Sequence, residues 1–269
     1  MILTYTFFQN ALLGALLASI LCGMVGTYIV TRRMVIAGGG VAHASLGGVG
    51  LGAYFGFSPL LGAAIFALFS GFCIDLLSKV RNIREDSAIA MLWTFGMSVG
   101  IMAAYLAPGF MTDLPLYLFG DILSITHTDL YLTGILTLLT AVFFILFHSA
   151  IVITAYDSNF AITQGIPVRF IETVLTICTA LTIVACLQLV GIVMIISLLS
   201  IPQMTAALFV STFRNMILWS IFFGLTACIG GLWISYLLNV PSGTTIIFVS
   251  VSVYFLGRAI KKLFCRFHN

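Results

Sequence analysis

Val35-Ile-Ala-Gly-Gly-Gly-Val-Ala-His-Ala-Ser-Leu-Gly-Gly-Val-Gly-Leu-Gly52 holds no charged residue, and the apolar run it belongs to extends over 35–57. That length suits a helix crossing a bilayer, which takes about 20 apolar residues. Arg32 and Arg33 stand just before it. The same pattern, an apolar run bounded by short polar connections, recurs at 7–30, 60–77, 88–107, 130–150, 171–187, 192–212, 216–237 and 245–260, which makes nine runs. Composition agrees. Of 269 residues, 61% are hydrophobic and only 7% charged, where a soluble domain carries about 25% charged. The mean hydropathy is +1.20. Eleven Lys and Arg with eight Asp and Glu cannot cover the surface of a soluble protein of this size. A water-soluble enzyme is excluded, and the expected fold is an all-α integral membrane protein, a polytopic helical bundle in one domain over 1–269.

The charges set its orientation. Arg32 and Arg33 lie between runs one and two, and Lys79, Arg81 and Arg84 between three and four. Arg169 lies between five and six, and Arg214 between seven and eight. Arg258, Lys261, Lys262 and Arg266 close the chain. All eleven basic residues thus fall on alternate connections, the pattern of cytoplasmic loops. With nine spans the N-terminus is outside and the C-terminus cytoplasmic. One joint is weak: only Gln188-Leu-Val-Gly191 separates runs six and seven. If 171–200 were one helix, eight spans would result and the parity would flip. Nine is preferred. The net charge of +3 reflects this topology and gives no reason to expect a nucleic-acid partner. The six cysteines, at 22, 73, 178, 186, 228 and 265, match no metal-knuckle or disulfide spacing and read as packing residues. The first run has no basic leader and is too long for a cleavable signal peptide.

Candidate functional residues fall in four places. Gly40, Ala44, Gly48, Gly52 and Gly56 recur every four residues and form a smooth ridge for close helix approach. His43, on the same run, is the one ionisable group near the middle of any span. Such a residue is costly there and usually faces a cavity or pathway. Neutral imidazole also ligates divalent transition metals, while a hydrogen bond to a neighbouring carbonyl would explain it equally well. The loop 108–129 carries Asp113, Asp121, His127 and Asp129 and no basic residue, so it could concentrate cations at an outer entrance. The same aspartates suit turns and caps. In the loop 151–170, Asp157 is an N-cap type, Phe160 to Gln164 can form two turns, Gly165 can cap them and Pro167 stops them, which predicts a short helix on the cytoplasmic face. Asp75 with Lys79, and Glu172 with Arg169, are expected to form local pairs. No phosphate-binding Gly-x-x-x-x-Gly-Lys motif occurs, so any ATP hydrolysis belongs to another chain.

Five stretches together resemble one family. Arg32 to Gly52 is similar to the second-helix signature of the ABC-3 family, the permease subunits of bacterial zinc and manganese ABC importers. Glu85-Asp-Ser-Ala-Ile-Ala-Met-Leu-Trp93, Tyr117-Leu-Phe-Gly-Asp-Ile-Leu123, Asp157-Ser-Asn-Phe-Ala161 with Gly165-Ile-Pro-Val168, and Leu189-Val-Gly191 with Pro202 and Thr205-Ala-Ala207 resemble further motifs of it in matching order. The resemblance implies a multi-pass permease of the bacterial inner membrane, embedded in lipid. It implies a second permease copy, a cytoplasmic ABC ATPase subunit and an extracytoplasmic solute-binding protein as partners. The segment 151–170 would be the loop that couples to the ATPase, through Asp157, Phe160, Gly165 and Pro167. No cofactor is implied; a divalent metal is the transported substrate. His43 would be the pathway ligand, with zinc first and manganese or ferrous iron next. Two positions depart from the family. Many members carry Asp four residues before the histidine, where this chain has Gly39. Gln203-Met204 replaces small residues after Pro202, and Met204 is either a soft ligand or, more simply, core packing. The alternatives are a permease for a metal chelate or other small solute, and a membrane scaffold without transport.

Overall fold

The computed structural model describes residues 6–78, 84–107, 117–118, 120 and 125–267. Among these the regular structure is helical: α1 Thr6–Thr31, α2 Val35–Phe55, α3 Pro59–Ser78, α4 Glu85–Leu106, α5 His127–Leu146, α6 His148–Tyr156, α7 Ser158–Thr163, α8 Val168–Val190, α9 Ile192–Leu198, α10 Ile201–Ala206, α11 Phe213–Leu238 and α12 Ser242–Phe267. Nine stretches among the described residues are long and apolar enough to span a membrane. The weak joint is a real break. Gly191 sits at φ 76, ψ 162, a region open in practice only to glycine. Its N–H closes α8 on Leu187 and its carbonyl opens α9 by accepting from Ile195.

The seventh span is itself discontinuous, as α9 followed by α10. Pro202 has no N–H to give the carbonyl of Leu198, one turn earlier. The side chain of Gln203 supplies that donor: its Nε2 reaches the Leu198 carbonyl at 3.0 Å and the Cys22 carbonyl of α1 at 2.7 Å. Gln203 is fully buried. The neighbouring Met204 is 42% exposed, so it is not the core packing residue its chemistry suggested.

Helix α2 occupies the centre. In its spanning stretch 78% of residues are buried, against 28% in α4, α5 and α12. A helix without a polar face is stable only when surrounded, and its small residues let the neighbours approach to backbone contact. The ridge does not serve one partner. Steps of four residues drift by about 40° around a helix, so Gly40 and Ala44 face Ile89 and Gly96 of α4, whereas Gly48 and Gly52 face Gly62 and Pro59 of α3. A methyl on Gly48 would overlap the carbonyl of Gly62, and the converse also holds. Gly56 does not belong to this packing. It caps α2 in the left-handed conformation, φ 74, and a side chain there would meet open space. Gly47 and Gly50 of α2, against Gly96 and Gly100 of α4, carry the rest of the contact. Their i, i+3 and i, i+4 spacing is present in the sequence.

The fifth span is longer than its apolar run. After a break at Phe147 it continues as α6, whose Ile151, Thr154 and Ala155 are buried. The connection to the sixth span therefore begins at Asp157, six residues later than the sequence placed it.

Candidate functional site

His43 is half-buried on α2, facing α4. Its imidazole lies flat on the indole of Trp93, with ring centroids 4.2 Å apart and planes 8° from parallel. The Trp93 Nε1–H points to the sulfur of Met97 at 3.1 Å, which fixes the indole and through it the imidazole plane. The Nδ1 atom of His43 is buried and has no hydrogen-bond partner, so at that atom a neighbouring carbonyl does not account for the residue. One turn earlier, a side chain on Gly39 would meet only Ile196, at 3.7 Å. The position is sterically open and carries no carboxylate. Among the described residues no three His, Cys, Asp or Glu side chains gather as a metal site. The described residues place the His43 imidazole here without such a cluster around it.

The connection after α6 folds as its signals indicate. Asp157 Oδ1 accepts from the N–H groups of Asn159 and Phe160, each at 3.0 Å, an N-cap holding two donors that a helix start leaves free. Gly165, at φ 73, ends α7: its N–H bonds the Ile162 carbonyl, and that of Ile166 bonds Ala161. Pro167 caps the start of α8. Ala161 is buried and anchors the short helix, while Phe160 and Ile162 are 51% and 61% exposed. Tyr156 and Ser158 share a cleft with Arg32, Arg33, Asp75 and Glu85, so α7 lies at the end of the bundle that carries the arginines.

The local pair expected between Glu172 and Arg169 does not form. Glu172 Oε1 is 2.7 Å from Arg32 Nη2. Helix α8 turns Glu172 toward the interior cleft it shares with Tyr28, Arg32 and Asp75, while Arg169 is exposed. Lys79, the partner expected for Asp75, lies outside the described residues, as do Asp113 and Asp121.

At the opposite end, Asp129 forms a capping box with Thr126. Its Oδ2 accepts from the Thr126 N–H at 3.0 Å and from the hydroxyl at 2.6 Å, and its own N–H returns to Thr126 Oγ1 at 3.3 Å. Being only 9% exposed, it starts α5 and borders a cleft between α3, α5 and α8. His127 beside it is exposed. Two of the family-like stretches meet here: Gly120 abuts the backbone of Val190 and Gly191. Tyr117 and Leu118 pack against the core, and burial pushes the Tyr117 phenol above its ordinary pKa.

The model of a family described as the ABC 3 transport family matches residues 4–261. An uncharacterized membrane protein of Synechocystis is 38% identical over 260 residues, covering 97% of this chain and 92% of that protein. A manganese transport system membrane protein of Halalkalibacterium halodurans is 33% identical over 256 residues, covering 95% and 88%. Among solved structures, PsaBC from Streptococcus pneumoniae in complex with Fab superposes with a TM-score of 0.88 at 31% identity, covering 99% of this chain and 96% of that one.

Proposed function

The chain belongs to the ABC 3 transport family, a multi-pass bacterial membrane protein, and from that premise we propose that it is the permease subunit of an ATP-driven importer of a divalent metal ion. The observation that carries the proposal is His43: an imidazole inside the most buried span, its plane held by Trp93 and its Nδ1 left without a partner. An unsatisfied ionisable side chain at membrane depth is retained for a pathway rather than for stability. Two permease copies enclose the pathway, and each offers its imidazole to the passing ion. A cytoplasmic ATPase subunit docks on α7 through Phe160 and Ile162, so the arginine-bearing end faces the cytoplasm. A solute-binding protein delivers the ion at the end bearing Asp129 and His127. ATP binding rocks the copies between outward and inward access.

Zinc is the first candidate, since imidazole suits it and no carboxylate accompanies His43. A second reading has its own support: relatives at 33% and 29% identity are named as manganese transport proteins, and manganese prefers oxygen ligands. The test is uptake by cells carrying the whole importer, with Zn²⁺, Mn²⁺ and Fe²⁺ in competition. Wild type takes up one ion selectively, and His43→Ala loses uptake while assembling normally. Normal uptake by the alanine variant would remove His43 from the pathway. Preference for Mn²⁺ would establish the second reading.

A further inference from the structure

One side chain joins three parts of the arginine-bearing end. Arg32 lies in the turn between α1 and α2, where Arg33 takes the left-handed conformation, φ 61, and reverses the chain within three residues. From there the Arg32 guanidinium reaches two other elements. Its Nη1 donates to the carbonyl of Thr154 at 3.0 Å, and its Nη2 to Glu172 Oε1 at 2.7 Å. Thr154 is in the last turn of α6, whose carbonyls lack helical donors. Glu172 is near the start of α8. Between these two positions along the chain lies α7. Arg32 and Glu172 are each only about a quarter exposed, at 22% and 24%, so solvent screens the contact weakly.

We propose that Arg32 is a positioning residue that holds both feet of α7 to the turn leading into α2, so that a displacement of α7 is passed to the helix bearing His43. The inference rests on the function proposed above, in which α7 receives the ATPase subunit. The geometry requires arginine. A guanidinium presents diverging N–H groups in a rigid plane and can hold a carbonyl and a carboxylate together, whereas an ammonium is a single flexible point donor. α2 starts at Val35, three residues beyond Arg32, and His43 follows two turns on. Glu172 adds the charge that keeps the guanidinium in place.

The test uses the full importer, permease with its ATPase subunit and binding protein, in proteoliposomes with Zn²⁺ as the probe. The quantity read is Zn²⁺ imported per ATP hydrolysed, which a residue of merely structural importance would leave unchanged in the molecules that assemble. In Arg32→Ala and Arg32→Lys the complex hydrolyses ATP, and the ratio falls about tenfold. Glu172→Gln retains an acceptor for Nη2 and falls less, about threefold. A wild-type ratio in Arg32→Lys overturns the proposal. So does a loss of hydrolysis and transport in equal proportion across all three variants. If Arg32→Ala fails to assemble, the lysine and glutamine variants decide by the same criterion. A wild-type chain that recruits no ATPase subunit overturns the function and this inference together; working wild type with unaltered variants overturns this inference alone.

Discussion

Replacing Gly48 by alanine should destabilise the bundle, although alanine is the better helix former. The two effects oppose each other and can be weighed. In a helix interior, Gly→Ala gains about 1 kcal/mol from backbone entropy and propensity. Against this, the new methyl overlaps the backbone carbonyl of Gly62. Backbone cannot swing aside as a side chain can, so α2 and α3 must separate. Overpacking of this kind costs about 3 kcal/mol, the upper end of its usual range. The net loss is about 2 kcal/mol, which in a chain of this length lowers the melting temperature by about 4–8 °C. Gly38→Ala on the same helix is the control, because its methyl meets only the end of Ile29 at 3.7 Å. It retains the propensity gain and should melt slightly higher than wild type. The assay is thermal unfolding of the purified permease in one detergent, followed by loss of the monodisperse size-exclusion peak. Gly48→Ala melting at or above Gly38→Ala would refute backbone-to-backbone packing of α2 on α3.

Other substitutions test the remaining geometry. Asp157→Ala removes the two N-cap bonds of α7 and should weaken that helix by about 1 kcal/mol, seen as faster amide exchange confined to 158–163 and poorer recovery of the ATPase subunit. Asp157→Asn keeps an acceptor and should retain most of both. Gln203→Leu leaves the Leu198 carbonyl without a donor inside the bundle and should cost about 2 kcal/mol, read as a lower melting temperature. Gln203→Glu should be worse, since an acceptor then faces two carbonyls. An unchanged melting point in either variant would contradict the bridging role of the amide.

The spans were legible because a bilayer imposes one strong constraint: about 20 apolar residues per crossing, with basic residues on alternate connections. The cap signals of α7 were legible because they are local; Asp157, Gly165 and Pro167 act within their own turn. The break at Gly191 was visible as a weak joint, and only its backbone angles separate two helices from one. What stayed hidden depends on the third dimension. Pro202 marks the interruption after Leu198 in the apolar run, but nothing in the sequence shows that the side chain of Gln203 replaces the missing N–H. Glu172 was assigned to Arg169, three residues away, since sequence separation is the only distance a sequence offers. Its partner is 140 residues distant. The regular spacing of Gly40, Ala44, Gly48, Gly52 and Gly56 suggested a single face, but the drift of a straight helix divides it between two neighbours and leaves the last glycine as a cap.

The small residues and the imidazole of α2 have one physical explanation. In the transport role proposed above, His43 is held in a fixed orientation to act on an ion, and the helix bearing it moves when the partner does. Contacts made through long side chains absorb displacement by changing rotamer. Contacts of Gly48 with Gly62, and of Gly50 with Gly100, have no rotamer to change, so α2, α3 and α4 are joined stiffly, with the half-buried His43 and Trp93 stacked between α2 and α4. Such a body is moved from its ends. At the arginine-bearing end the tight turn at Arg32 and Arg33 joins α2 to α1, and the same Arg32 grips α6 and α8 on either side of α7. If Arg32 transmits a displacement of α7 as proposed, close packing serves transmission as well as stability. A flexible, leucine-rich α2 of equal hydropathy would span the membrane equally well, but a displacement at α7 would be lost in its side chains before it reached the imidazole.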